Sequence, residues 1–245
     1  MTTPHDTPRK LWPWSTSGHG PLPVLLLMLS VVTGLVDAVS YLALGHVFVA
    51  NMTGNVVLLG FALAGAPGLS VPASLAALAA FLLGALAGGR IGARVGGHRG
   101  RHLRTAAACA APLLLIAFLV AVLAGQPVST GARYALLVPM GLAMGLQNAT
   151  ARRLAVPDLT TTVLTLTLTG FAADSRLAGG PGGPAARRLL AIAAIFLGAL
   201  VGALFVVHVD LLVPLALATV LMASAALIAH RRSRGAPGWT RPPGS

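Results

Sequence analysis

From Pro21 to Val49 the chain carries one acid, Asp37, and no lysine or arginine. Such a run exceeds the ~20 apolar residues that an α-helix needs to cross a bilayer core. Further apolar runs follow with short links between them. Composition agrees: 56% of the 245 residues are hydrophobic and 9% are charged, with mean hydropathy +0.84, whereas soluble domains carry roughly 25% charged residues. An all-α integral membrane protein is expected, multi-pass, with no room for a soluble domain.

The formal net charge is +12, from 17 Lys+Arg against 5 acidic residues, and Lys10 is the one lysine. A basic chain can bind nucleic acid, but here the arginines sit at the ends of apolar runs. The positive-inside rule and attraction to anionic lipid of the inner leaflet account for them there, so no nucleic-acid partner is expected. The single cysteine, Cys109, leaves no internal disulfide or thiolate metal site, and is expected to be a small buried hydrophobe. The histidines lack metal-site spacing. There is no nucleophile–base–orienter set, no phosphate-binding glycine loop and no paired carboxylates, so neither an enzyme nor a cofactor is expected.

The apolar runs fall at roughly 22–44, 48–64, 72–95, 105–124, 133–153, 159–173, 187–208 and 211–230. The second and sixth are short. Residues 1–20, rich in Pro, Gly, Ser and Thr, and 232–245 are expected to be disordered cytoplasmic tails; a cleaved signal peptide is not expected, the first apolar run being too long for one. The remainder divides into two copies, 21–125 and 126–231. Gly34-Leu35-Val36-Asp37-Ala38 matches Gly145-Leu146-Gln147-Asn148-Ala149 (145 − 34 = 111), and the Gly84/Gly88 stretch matches Gly198/Gly202 (198 − 84 = 114). Pro112-Leu113 matches Pro214-Leu215 (214 − 112 = 102). Such duplications are common in transporters.

Arginine placement then constrains topology. If all eight runs spanned the membrane, the cluster Arg94, Arg99, Arg101 and Arg104 would lie outside. If the two short runs dip in and return, that cluster falls inside with Arg152, Arg153, Arg187, Arg188, Arg231 and Arg232, and Arg133 stays outside. The expectation is six transmembrane helices plus two short re-entrant helical segments, as a three-plus-three inverted repeat in the cell inner (plasma) membrane with both termini cytoplasmic.

Polar groups within these runs are costly unless protein or water receives them. Asp37 is the one acid within an expected span: a cation or proton site, or a carboxyl bonding broken backbone near Gly34. Asn51, Thr53 and Asn55 would line a path or cap the first short helix. Thr161 and Thr162 open the second short run, whose hydroxyls can also bond back to helical carbonyls. Gln147 and Asn148 would line the path or bond between helices. Gly84/Gly88 and Gly198/Gly202 form small-residue packing faces, which also permit a homo-oligomer.

Thr33-Gly34-Leu35-Val36-Asp37-Ala38-Val39-Ser40-Tyr41, Val47-Phe48-Val49-Ala50-Asn51-Met52-Thr53-Gly54-Asn55 and Gly145-Leu146-Gln147-Asn148-Ala149 resemble the YoaK-like bacterial membrane proteins, a family of unknown function, over roughly 24–230. The resemblance implies a bacterial inner-membrane protein and carries no substrate or catalytic residue. One departure is Leu166 after Thr165, where the family has glycine. The expected function is a transporter or channel for a small polar solute or ion, with a non-transporting assembly or accessory protein as the alternative.

Overall fold

The computed structural model describes residues 19–95, 97–125, 127–156, 164–175, 178–179, 185–234 and 238–241. These form eight α-helices: α1 (Leu22–Ala43), α2 (Met52–Leu63), α3 (Val71–Arg94), α4 (Arg99–Ala124), α5 (Thr130–Leu154), α6 (Leu164–Ala173), α7 (Ala185–His208) and α8 (Leu212–Arg232). A 3-10 turn, Gly238–Thr240, follows. Five helices, α1, α3, α4, α7 and α8, are long and apolar enough to cross a membrane. Helix α5 has 25 residues but ends on Arg152 and Arg153. Helix α2, with 12 residues, extends only about 18 Å.

Outward-facing side chains are apolar, among them Leu82, Leu83 and Leu86 of α3, Leu119 and Leu123 of α4, and Phe196, Leu197 and Leu204 of α7. A water-facing surface does not carry apolar area on that scale; a lipid-facing one does. Cys109 is exposed on α4 rather than buried. In a membrane protein an apolar neighbourhood in sequence does not imply the interior, because lipid accepts the same side chains.

The helices pack in matched pairs. Contacts join α1 to α7 and α3 to α5, α1 to α8 and α4 to α5, α2 to α3 and α6 to α7, and α3 to α4 and α7 to α8; α4 also packs on α8, and α1 on α5. Exchanging α1–α4 with α5–α8 reproduces the set. Glycines set the two closest crossings. A methyl on Gly34 would overlap the Ile195 carbonyl, and one on Gly198 the Val31 carbonyl; across the other pair, one on Gly145 would overlap the Phe81 carbonyl and one on Gly84 the Leu142 carbonyl. Backbone-to-backbone approach of this kind replaces the hydrophobic driving force that lipid does not supply between helices. Helix α1 runs unbroken through Gly34, so Asp37 has no interrupted backbone there to serve.

One face gathers six helix ends. His19, before α1, meets Arg99 at the start of α4, and Arg99 donates to the Leu154 carbonyl at the end of α5. Arg153 donates to the Gly89 carbonyl near the end of α3, 2.8 Å away. Arg187 of α7 is close enough to act on His19, and Gly100 lies against Ser233 after α8. Gly45, after α1, lies against Arg133 near the start of α5.

Three boundaries differ from the sequence reading. The arginine-rich stretch expected as a linker before 105 is the first turn of α4, started by the His98 side chain accepting from Arg101 N at 3.1 Å. The first short helix starts at Met52, not 48, because side chains hold the backbone of 48–50 in a non-helical turn. Within the expected C-terminal tail, residues 238–241 are ordered: Thr240 is buried and Trp239 packs against Gly20 and Gly100.

Candidate functional site

The chain leaving α1 turns at Gly45 (φ +96) and His46 (φ +57) and passes back as a non-helical segment beside its own helix. Non-helical backbone in apolar surroundings must find partners for its N–H and C=O groups. Two side chains supply them. Asp37 Oδ1 accepts from Val49 N at 3.0 Å and from Ala50 N at 2.8 Å. Asn55, fully buried, accepts from Phe48 N through Oδ1 at 2.8 Å and donates through Nδ2 to the Phe48 carbonyl. One amide thus stands in for a neighbouring strand. Asn51 then caps α2, accepting from Gly54 N at 3.3 Å. Tyr41 stacks on Phe48 with centroids 4.8 Å apart and meets His46 edge-on at 5.2 Å.

This turn forms one wall of a cavity of about 510 Å³. Thr33, Asp37 and Tyr41 of α1, Asn51, Thr53 and Gly54 at the start of α2, Thr165 of α6 and Ile195 of α7 line it. Of the residues singled out by sequence, the cavity brings together Asp37, Asn51 and Thr53. Asn55 is drawn behind the wall by its bonds to Phe48. Thr161 and Thr162 lie outside the described residues.

Gln147 and Asn148 take other places. Gln147, 2% exposed, crosses from α5 to α1, donating through Nε2 to the Leu29 carbonyl at 3.1 Å and to Thr33 Oγ1 at 2.9 Å. Its Oε1 is buried without a partner among the described residues. Asn148 Nδ2 donates to the Met144 carbonyl one turn back, at 2.9 Å. Neither side chain lines the cavity; each donates to a helical carbonyl, and an amide can serve donor and acceptor roles at once.

Thr33, Tyr41 and Thr165 are polar lining residues that the sequence reading did not choose for the site; Thr165 was the one with a signal. The signal was available: Thr53 and Thr165 are 112 residues apart (165 − 53 = 112), as are Asn55 and Thr167 (167 − 55 = 112), between the offsets of the flanking matches. Asn55 and Thr167 are the buried polar residues of their short helices. The cavity wall is rich in acceptors: a carboxyl, an amide and hydroxyls, with no arginine, lysine or histidine among the described lining residues. No group of three or more His, Cys, Asp or Glu that could hold a metal occurs among the described residues.

Comparison with known proteins fits this architecture. The chain is 34% identical over 152 residues to the UPF0700 transmembrane protein YoaK of Bacillus subtilis (strain 168). The match covers 61% of this chain and 65% of that protein, slightly less than two thirds of the relative's length. No solved structure matches. Residues 25–228 match the family model described as protein of unknown function DUF1275. That match takes in every helix of the two packed halves apart from the outermost turns, and the chain belongs to this family of YoaK-like transmembrane proteins.

Proposed function

We propose that the protein is a transporter or channel for a small polar solute or ion, with the cavity at Asp37 as part of its path. The observation that carries this reading is the cavity of about 510 Å³, where polar ends of two short helices meet beside a carboxyl. Its acceptor-rich wall suits a cation or a neutral polar solute. An anion is disfavoured by the Asp37 carboxyl on the wall and by the use of two first-turn amides of α2 within the protein: Asn51 accepts from Gly54 N with its side chain and from Asn55 N with its backbone carbonyl.

In this reading α1, α3, α4, α5, α7 and α8 are six spans, and α2 and α6 are re-entrant. Support comes from the helix ends. The start of α1 and the end of α3 lie on one face, so these helices run in opposite directions, and α2 between them must enter and leave on the same side. The start of α5 and the end of α7 give the mirrored arrangement, which is a three-plus-three inverted repeat. The face that collects Arg99, Arg153 and Arg187 is then cytoplasmic by the positive-inside rule, in the bacterial plasma (inner) membrane.

A second reading, a non-transporting accessory protein, is favoured by one fact: Asp37 and Asn55 both hold the 47–50 segment. Substituted cysteines separate the two, in a Cys109→Ser background. Gly45→Cys and Pro67→Cys should react with an impermeant maleimide from the same side, and Thr53→Cys and Thr165→Cys should react with a hydrophilic thiosulfonate. In proteoliposomes, flux of protons, sodium or urea should be present in wild type and absent in Asp37→Asn at unchanged folded yield. Labelling of Gly45→Cys and Pro67→Cys from opposite sides would defeat the topology. A loss of flux that merely follows a loss of folded protein would favour the accessory role.

A further inference from the structure

The face that gathers the helix ends holds a second cavity, of about 280 Å³, lined by Gly92, Arg99, His102, Arg153, Leu154 and Ala155. It is separate from the Asp37 cavity, and its chemistry is opposite. Two of its basic side chains are nearly enclosed: Arg99 is 5% exposed and His102 6%. Arg99 meets neutral acceptors, His19 Nδ1 at 3.0 Å and the Leu154 carbonyl. His102 Nε2 lies 3.3 Å from the Gly88 carbonyl and 3.4 Å from Thr150 Oγ1. Those contacts fix the side chains without neutralising the guanidinium, and a buried charge without a counter-charge is expensive.

No acid among the described residues supplies that counter-charge. Asp37 holds Val49 and Ala50, Asp174 pairs with Arg188 at 2.7 Å, and Asp210 accepts from Leu212 N at the start of α8. Three further features suit an external anion. Arg153 is held at the cavity mouth by its bond to the Gly89 carbonyl. The floor is kept open at Gly92, where a methyl would stand 2.7 Å from His102 Cε1 and 2.8 Å from Arg153 Cδ. Helix α4, 26 residues long, begins at Arg99, so its positive end faces the same space.

We propose that this cavity binds a phosphate-bearing anion, presented as the headgroup of an anionic lipid or as soluble phosphate. Arg99 of α4 and Arg153 of α5 both line the cavity, and each guanidinium has N–H groups beyond those already bonded, which suit phosphate oxygens. The site stands whether or not the Asp37 cavity conducts anything.

The experiment uses the full chain, delipidated in a nonionic detergent at constant ionic strength. One arm titrates inorganic phosphate against thermal unfolding. The other measures retention of phosphatidylglycerol against phosphatidylcholine by native mass spectrometry. Arg153→Gln is the informative variant because its side chain is exposed and its loss leaves the Arg99 contacts in place; affinity should fall about tenfold, the loss of one charge-assisted contact. Arg153→Lys should recover part of it. Arg152→Gln, next in sequence, also exposed and outside the cavity, should stay within about twofold of wild type, since a solvent-exposed charge that does not touch the ligand is screened. Binding of phosphatidylglycerol alone identifies a lipid headgroup, and binding of phosphate alone a soluble ion. Binding of neither overturns the proposal. Equal losses in Arg152→Gln and Arg153→Gln also overturn it, leaving only a general basic surface.

Discussion

The two halves of the chain share their packing and differ in their polar chemistry. Gly34 against α7 and Gly145 against α3 make the same backbone-to-backbone crossing, 111 residues apart (145 − 34 = 111). Three residues further along, Asp37 and Asn148 occupy matching positions with different chemistry. Asp37 accepts from backbone 12 and 13 residues ahead, in the turn before α2; one of the contacts of Asn148 is a bond donated one turn back along its own helix. A carboxylate can only accept, so it collects N–H groups; an amide also donates and can use its own helix. The comparison separates what a duplicated scaffold must keep, close helix contacts, from what each copy is free to change.

Breaking the shared part should have the largest effect, and it should be equal in both halves. Gly34→Val and Gly145→Val each force side-chain atoms into a facing carbonyl, and backbone cannot yield as a flexible side chain can. Each should cost about 3 kcal/mol or more and sharply lower the monodisperse fraction after detergent extraction. Gly60→Val, where nothing lies within 4 Å, should behave as wild type. If one of the two crossing variants is tolerated and the other is not, the packing symmetry is only apparent.

The polar difference is sharpened one step lower in energy. Asn55→Ala leaves both backbone groups of Phe48 unpaired in the first half, at about 2–3 kcal/mol. Asn51→Ala removes one cap bond, at about 1 kcal/mol. Thr167→Ala, at the matching place in α6, should cost less than Asn55→Ala because it removes one buried polar atom where Asn55→Ala removes two. Unfolding midpoints in a single detergent rank the three, and a Thr167→Ala loss as large as that of Asn55→Ala would remove the asymmetry.

Much of this was readable from residues alone, for a physical reason. The long apolar runs and the glycine faces are properties of local sequence, and the structure has the apolar helices and the close glycine contacts they predict. The short first helix was readable because Asn51, Thr53 and Asn55 interrupt an apolar run too brief to cross a bilayer. What sequence could not assign was which way each polar group turns. Asn51, Thr53 and Asn55 lie within five residues, yet two line the cavity and one is locked behind its wall. Gln147 and Asn148 are adjacent, so their side chains point about 100° apart on the helix, one across to α1 and one along α5. Cys109 was misjudged because burial in lipid and burial in protein select the same side chains. Arg99 showed only as positive-inside charge; that it is enclosed depends on Leu154 and His19, 55 and 80 residues away.

The smallest expected effect tests whether the two halves are anchored alike at their starts. Helix α5 begins with Ser129, whose hydroxyl accepts from Ala132 N at 3.3 Å, a bond with no titratable partner. Helix α1 begins beside His19, whose Nδ1 faces the Arg99 guanidinium at 3.0 Å. Because arginine only donates, that nitrogen must be unprotonated. Burial, and then the charges of Arg99 and Arg187, hold the His19 pKa below its ordinary 6.5. A histidine with a lowered folded-state pKa contributes its full stability above its unfolded value and loses it as pH falls through the folded one. Acidification from about pH 7.5 to about 5.5 should therefore loosen the start of α1 and spare that of α5. Trp239, packed on Gly20 and Gly100, reports the first: in a Trp12→Phe, Trp14→Phe background its emission should shift to the red in acid. His19→Gln, which keeps an acceptor and cannot titrate, should abolish the shift. A fluorophore on Thr130→Cys in the Cys109→Ser background reports the second, and should not respond. A matching response there would mean that acid acts on the whole bundle, and the starts of the two halves would no longer be distinguished by His19.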